Sequence, residues 1–125
     1  MGKTSKREFE GESKFISRDM RHVILKVRIL HYVAKHKTYA YSLIEKFDNP
    51  HMQMMLKKSG AALKNDIYNN MKSLERSGYI KSKTIVENRK MKVYYTITKK
   101  GKYADNQSKA LFKNLIKELN DIMSD

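Results

Sequence analysis

Apolar residues recur with helical spacing in four segments of the chain and alternate with polar residues in a fifth. The helical spacing predicts helices over residues 20–36, 39–47, 63–77 and 103–123. Two alternating runs around the polar residues 87–90 predict a β-hairpin. Residues 1–18 lack periodicity and are expected to form a flexible arm, and residues 51–62 leave open one or two further helical turns. The pattern therefore predicts a mainly helical α+β fold with a two-stranded hairpin.

Residues that favour particular backbone geometries mark the ends of these elements. Thr38 is expected to cap the N-terminus of the second helix, and Pro50 follows its end. Gly78 stands where a left-handed residue would end the third helix. Thr98 is expected to cap the last helix, whose first turn Gly101 would weaken.

The third helix, residues 63–77, has one apolar and one polar side. Its apolar stripe consists of Leu63, Ile67, Met71 and Leu74. Amide and cationic side chains opposite the stripe suit base edges and phosphates in a DNA major groove. The candidate DNA-contacting residues of this helix are Lys64, Asn65, Asp66, Tyr68, Asn69, Lys72, Ser73 and Arg76. Capping or solvated surface roles remain open for Asn65 and Asn69.

Positive charge is concentrated in the hairpin rather than in the third helix. The chain has 125 residues, a formal net charge of +14 and a pI near 9.9. Residues 81–102 hold eight lysines or arginines against one acid, Glu87. Such a segment attracts phosphates, and Arg89, Lys90 and Lys92 are the candidate contacts to the DNA backbone or minor groove. A helix followed by a basic hairpin is the layout of a winged helix.

Composition and residue spacing limit the other classes of function. The chain has no cysteine and no apolar run of roughly 20 residues, the length that spans a bilayer. Its N-terminus lacks the apolar stretch of a secretory signal, so a cytoplasmic location is expected. The four histidines form no metal-binding pattern with acidic residues, and no catalytic constellation is apparent. We therefore expect no enzyme activity, metal or cofactor.

Two segments have more apolar surface than one small domain needs. The first helix has one stripe of Val23, Val27, Leu30 and Ala34 and a second of Leu25, Ile29 and Tyr32. The last helix has a seam of Leu111, Leu115, Leu119 and Ile122. We expect the second stripe and this seam to join two chains in a homodimer, although the seam packing on its own domain is an alternative.

Three motifs resemble the PadR-like winged-helix transcriptional regulators over roughly residues 20–105. They are Tyr39-Ala40-Tyr41 at the second helix, Ile67-Tyr68 before Leu74-Glu75, and Tyr95-Thr96-Ile97-Thr98-Lys99-Lys100-Gly101 after the hairpin. The resemblance implies a homodimer that binds an inverted-repeat operator. The chain departs from the pattern at Asn69-Asn70, in the length of residues 48–62 and in its short C-terminal part. MarR-like regulators fit the third helix and hairpin almost as well but fit residues 39–41 less well.

These observations predict a winged helix-turn-helix domain over residues 19–102, preceded by the arm and followed by a dimerisation helix over residues 103–125. The expected function is sequence-specific regulation of transcription, with double-stranded DNA and a second copy of the chain as partners. The alternatives are an architectural chromatin protein with weak sequence preference and an RNA-binding or protein-interaction module. The sequence leaves the operator, the sign of regulation and any small-molecule effector open.

Overall fold

Five helices and a three-stranded antiparallel sheet form the part of the chain that the structure describes. This computed structural model describes residues 20–124, so the arm predicted over residues 1–18 lies outside the described part. Helix α1 covers residues 20–35. The remaining elements are β1 (Thr38–Tyr39), α2 (Ala40–Phe47), α3 (Pro50–Leu56), α4 (Gly60–Arg76), β2 (Ile80–Glu87), β3 (Lys90–Ile97) and α5 (Lys99–Ser124). The predicted α+β winged-helix fold is confirmed.

The sheet contains one strand more than the predicted hairpin. Its order is β1-β3-β2, with Thr38 opposite Tyr95 and Tyr39 opposite Tyr94. Thr38 therefore lies in a strand, and the prediction that it caps α2 is wrong. Tyr39 occupies the N-cap position without a side-chain cap bond. A strand of two residues is too short to produce an alternating pattern, and β-branched threonine fits a strand well.

Residues 51–62, which the pattern left open, contain the short helix α3 and the start of α4. Asn49 caps α3 by accepting a hydrogen bond from the Met52 backbone N–H at 2.9 Å, and Pro50 occupies the first turn. Lys57 ends α3 in the left-handed conformation, with φ 53°. Helix α4 then begins at Gly60, three residues before its predicted start at residue 63.

One hydrophobic core joins the first four helices to the inner face of the sheet. Its buried members are Leu25, Ile29, Leu30, Val33, Leu43, Phe47, Met52, Leu56, Leu63, Ile67, Met71, Leu74, Ile80 and Tyr95. All four residues of the predicted apolar stripe of α4 are thus buried in the core. Both stripes of α1 also contribute to it, because Leu25 and Ile29 come from one stripe and Leu30 from the other.

The junction between α4, the hairpin and α5 is fixed by two predicted residues, Gly78 and Thr98. Gly78 has φ +80°, and the Gly78 and Tyr79 backbone N–H groups donate to the carbonyls of Glu75 and Leu74. This pair of bonds is a Schellman motif, which confirms Gly78 as the end of α4. The Thr98 hydroxyl accepts a hydrogen bond from the Gly101 N–H at 3.0 Å, which confirms the predicted cap of α5.

Helix α5 begins on the domain and then extends beyond it. It runs without a break from Lys99 to Ser124, so the predicted domain boundary at residue 103 falls inside a helix. Its buried residues, Gly101 and Asp105, both lie in its first two turns. Within residues 20–124, no helix combines the length and apolarity that crossing a membrane requires.

Candidate nucleic-acid interface

The outward side of α4 presents amide and cationic side chains on a rigidly held helix. Lys64, Asn65, Asn69 and Arg76 are exposed, while the stripe on the opposite side is completely buried. Because the core fixes the helix and the Schellman motif fixes its end, these side chains keep a defined direction. The sequence prediction of an exposed polar face on this helix is therefore confirmed, whereas its contact with DNA remains a prediction.

Three other candidates on α4 already have partners within the chain. The Lys58 ammonium lies 2.7 Å from the Asp66 carboxylate, so Asp66 holds the segment before α4 and its charge is offset. Lys72 lies with its Nζ 5.4 Å from the centre of the Tyr68 ring and 3.9 Å from Glu75 Oε1. A hydrogen bond with Tyr68, followed by the electrostatic effect of Tyr95, raises the pKa of Lys72. Ser73 is only partly exposed.

Two features of α4 escaped the sequence analysis. The earlier start of the helix adds Ala61 and Ala62 to its first turn, and both are exposed. Small apolar residues at this end are suited to contact thymine methyl groups. Asn70 is instead buried, and its amide donates to the Asp66 backbone carbonyl at 2.7 Å. The motif departure at Asn69-Asn70 therefore consists of one exposed and one structural asparagine.

The tip of the hairpin holds an arginine in an unfavourable backbone conformation. Asn88 and Arg89 form a two-residue connection with φ 50° and 63°, which corresponds to a type I′ turn. Glycine is the preferred second residue there, and a left-handed arginine costs about 1 kcal/mol. A cation kept in a strained position at an exposed tip is typical of a functional contact.

The strand register sorts the hairpin side chains onto two faces. Ile80, Tyr95 and Ile97 face the core, and on the same side near the tip lie Val86 and Met91, which are directly opposite each other and 69% and 77% exposed. Lys90 and Lys92 project from the other face. Lys92 lies 3.5 Å from Glu87 Oε2, so part of its charge is offset.

The predicted dimerisation residues fall into two groups. Leu111, Leu115, Leu119 and Ile122 are 57%, 39%, 40% and 68% exposed on α5, and no other described part of the chain covers them. Leu25 and Ile29 are instead 1% and 0% exposed, because this stripe of α1 faces its own core. Tyr32 is partly buried and packs edge-on against Phe47 at 5.8 Å. Of the seven predicted dimerisation residues, only the four of the α5 seam offer an exposed apolar surface.

A side-chain contact that the sequence analysis missed connects α1 to α5. His31 Nδ1 lies 3.1 Å from the Asp105 carboxylate, and Lys109 Nζ lies 3.6 Å from the same group. A cavity of about 370 Å³ borders this pair and is lined in part by Tyr32, Phe47 and Phe112. The residues are far apart in sequence, so no local spacing could reveal the contact.

The arrangement as a whole defines the class of protein. A helix with an outward polar face, held by two shorter helices and followed by a basic β-hairpin, is a winged helix-turn-helix, a DNA-binding domain. The family model described as "Transcriptional regulator PadR-like family" matches residues 29–106. The chain therefore belongs to the PadR-like family of transcriptional regulators, which confirms the resemblance seen in its motifs; members of this family are DNA-binding regulators rather than enzymes.

Solved structures share the fold of this chain. A PadR-like transcription factor from Bacteroides fragilis is 19% identical, with a TM-score of 0.66 over 86% of this chain and 97% of its own. A PadR family transcriptional regulator from Eggerthella lenta is 17% identical, with a TM-score of 0.68 over 94% and 96%. A PadR family transcription regulator from Clostridium difficile is 19% identical, with a TM-score of 0.62 over 79% and 97%. No curated protein matches the chain significantly.

Proposed function

We propose that the protein acts in the cytoplasm as a homodimer that binds an inverted-repeat operator, with one α4 helix in each of two successive major grooves. The observation that carries this proposal is the division of labour between a nearly neutral, rigidly anchored α4 and a strongly basic hairpin. Phosphate contacts from the hairpin position the domain without reading sequence, whereas α4 carries the amides that distinguish bases. A protein that only attracted phosphates in general would be expected to carry its positive charge on α4 as well.

Base reading is assigned to the N-terminal half of α4, which usually enters the groove in such domains. Asn65 is exposed there and Asn69 is exposed just past the middle of the helix, and an asparagine forms two hydrogen bonds with adenine. Ala61 and Ala62 add apolar contacts to thymine methyl groups. Lys64 and Lys72 donate to guanine or phosphate, and Arg76, at the end of the helix, contacts the backbone.

Selection of bound duplexes from a random pool tests the base-reading proposal. Recovery of a palindrome is expected, and Asn69→Ala should then weaken binding to the selected site by about 1–3 kcal/mol while binding to scrambled DNA is unchanged. Asn70→Ala is a matched control, because its amide bonds within the helix. If Asn65→Ala and Asn69→Ala both leave the ratio of the two affinities unchanged, α4 does not read bases.

The wing is assigned to the flanking backbone and minor groove. Arg89 extends from the turn, and the exposed pair Val86 and Met91 beside it supplies apolar side chains of the kind that contact minor-groove walls. Arg89→Ala with Lys90→Ala should weaken binding to every duplex alike. Each lost phosphate contact should also reduce the log–log salt slope by about 0.9, and an unchanged slope would remove the wing from the interface.

Dimerisation is assigned to the seam of α5, without Leu25 and Ile29. Four large apolar side chains on one side of an extended helix are the surface that a second copy would cover. Leu115→Glu with Leu119→Glu should convert the dimer to a monomer in light scattering, whereas Lys113→Glu with Lys117→Glu on the other side should not. A native protein that is monomeric at micromolar concentration would refute the assignment.

The net charge of +14 favours one second candidate function, architectural DNA binding with weak sequence preference. The same selection separates the two functions. A steep salt dependence without any recovered motif would support the architectural function over the regulator.

A further inference from the structure

The side of the sheet that faces away from the core has a composition that operator binding does not explain. Directly opposed residues of antiparallel strands share a face, and the register gives four outward pairs. They are Lys81 with Thr96, Lys83 with Tyr94, Ile85 with Lys92, and Glu87 with Lys90, and β1 adds Tyr39 opposite Tyr94. We call these residues, together with Lys37, the outer sheet face.

Two tyrosine rings stand at the centre of this face among lysine side chains. The rings of Tyr39 and Tyr94 meet edge to face with centroids 5.2 Å apart. Lys37 Nζ lies 5.1 Å from the centre of the Tyr94 ring, and Lys92 Nζ lies 5.0 Å from that of Tyr39. These contacts hold the two rings in place. Both tyrosines are also partly exposed, so their rings become accessible when the flexible lysine side chains move away.

The position of this face separates its tyrosines, Lys81 and Lys83 from α4 and from the α5 seam, whereas Lys90 and Lys92 near the hairpin tip are shared with the wing. Ile80 and Tyr95, on the inner face, share the core with the stripe of α4. The outer sheet face therefore points away from α4, and α5 begins beyond the end of β3. Five lysines accompany the two rings, and Glu87 is the one acid at their edge. Glu87 accepts a hydrogen bond from the Tyr94 hydroxyl at 3.2 Å, which orients the ring.

We propose that the outer sheet face binds single-stranded nucleic acid, with bases stacked on Tyr39 and Tyr94 and phosphates held by Lys81 and Lys83. Aromatic platforms interleaved with cations are how proteins bind single strands, often on the exposed face of a sheet. A duplex would use the lysines but would keep its base faces hidden, so the tyrosine pair favours a single strand. Lysines two residues apart in a strand are separated by about 6.7 Å, which allows contacts to successive phosphates of an extended chain.

Fluorescence anisotropy with labelled oligo-dT and oligo-U of about 15 nucleotides tests this proposal on the intact protein. Lys81→Ala with Lys83→Ala should weaken binding about ten-fold and reduce the log–log salt slope by about 1.4, since each single-strand phosphate contact contributes about 0.7. The matched control removes two exposed charges from α5, Lys113→Ala with Lys117→Ala, and should change the affinity less than about two-fold. Equal losses in the two pairs would show general attraction to a basic protein and overturn the proposal.

The tyrosine contribution is tested with substitutions at position 94. Tyr94→Ala should weaken oligonucleotide binding between about five- and a hundred-fold, the range for loss of one stacked base, while Tyr94→Phe should retain it. The chain has no tryptophan, so Tyr94→Trp creates a single reporter at the site. Its emission should be quenched by oligo-dT or oligo-U and left unchanged by a duplex. No quenching by either oligonucleotide, or the same quenching by a duplex, would overturn the proposal.

Operator binding distinguishes failure here from failure of the proposed function. The Lys81 and Lys83 variants leave α4 and Arg89 intact, so their affinity for the selected operator duplex should fall much less than their affinity for the oligonucleotides. If they lose duplex and single-strand binding to the same extent, the outer sheet face is part of the duplex interface and the single-strand proposal is wrong.

Discussion

Replacement of Gly101 by alanine should destabilise the protein, although alanine normally stabilises a helix. Gly101 lies in the first turn of α5 and is buried against Tyr79 and Ile97. An added Cβ would collide with the Tyr79 backbone carbonyl and would lie 2.7 Å from Ile97 Cδ1 and 2.9 Å from the Tyr79 carbonyl carbon. The carbonyl cannot rotate away as a side chain would, so α5 itself has to move.

The free energy of unfolding should fall by about 2–3 kcal/mol. Overpacking costs about 1–3 kcal/mol, and displacement of α5 also weakens the Thr98 cap, which contributes about 1 kcal/mol. The higher helix propensity of alanine returns about 1 kcal/mol at most. For a chain of this size, the corresponding decrease in Tm is about 10 °C.

Urea denaturation followed by circular dichroism measures this change, and two other glycines supply the controls. Gly60 and Gly78 have positive φ angles, but an added Cβ would meet nothing within 4 Å at Gly60 and only the Lys100 side chain, 3.8 Å away, at Gly78. Alanine there should cost only the left-handed backbone, about 1–2 kcal/mol. A Gly101→Ala protein that is as stable as the native one would refute the close approach of α5 to Tyr79.

Three further predictions concern stability and the site together. Arg89→Gly should raise the free energy of unfolding by about 0.5–1 kcal/mol in urea denaturation, because it removes the strain of a left-handed arginine, and it should lower duplex affinity. A lower free energy of unfolding would contradict the strained turn. Asp105→Ala should cost about 1 kcal/mol by the same measurement, through loss of the contact to the 37% exposed His31 side chain. An unchanged stability would contradict a stabilising His31–Asp105 contact. Asn49→Ala should cost about 1 kcal/mol through loss of the α3 cap, whereas Thr38→Val, which removes no cap bond of α2, should change stability by less than about 0.5 kcal/mol.

Local patterns in the sequence were sufficient for the elements that are periodic and well capped. The stripe from Leu63 to Leu74, the stop at Gly78 and the cap at Thr98 are each decided by neighbouring residues, and the structure contains them as predicted. Strand β1 could not be predicted in this way because its two residues are strands only through pairing with β3. The same limit explains the wrong prediction of Thr38 as a helix cap, because a threonine just before a helix is compatible with both a cap and a strand.

The features of the site that could not be predicted from the sequence depend on contacts between residues that are far apart in the chain. The two stripes of α1 indicated an extra partner, but Leu25, Ile29 and Leu30 are buried in the core of their own domain, which only the packing of the first four helices could reveal. Gly101 looked like a weak point in a helix, but its missing side chain admits the Tyr79 carbonyl, 22 positions earlier in the sequence. The outer sheet face likewise needs the register, which brings lysines from β2 and β3 together around one tyrosine from β1 and one from β3.

The close approach at Gly101 also bears on how two binding domains would be spaced on an operator. Helix α5 is joined to the end of α4 through Gly78, Tyr79 and Thr98, and Lys100 Nζ adds a bond to the Ser77 carbonyl at 2.7 Å. If the α5 seam joins two chains as proposed, the direction of α5 at this junction sets the distance between the two α4 helices. Half-site spacing would then depend on a glycine that touches no DNA, because a small rotation at the base of a 26-residue helix becomes a large displacement at its far end.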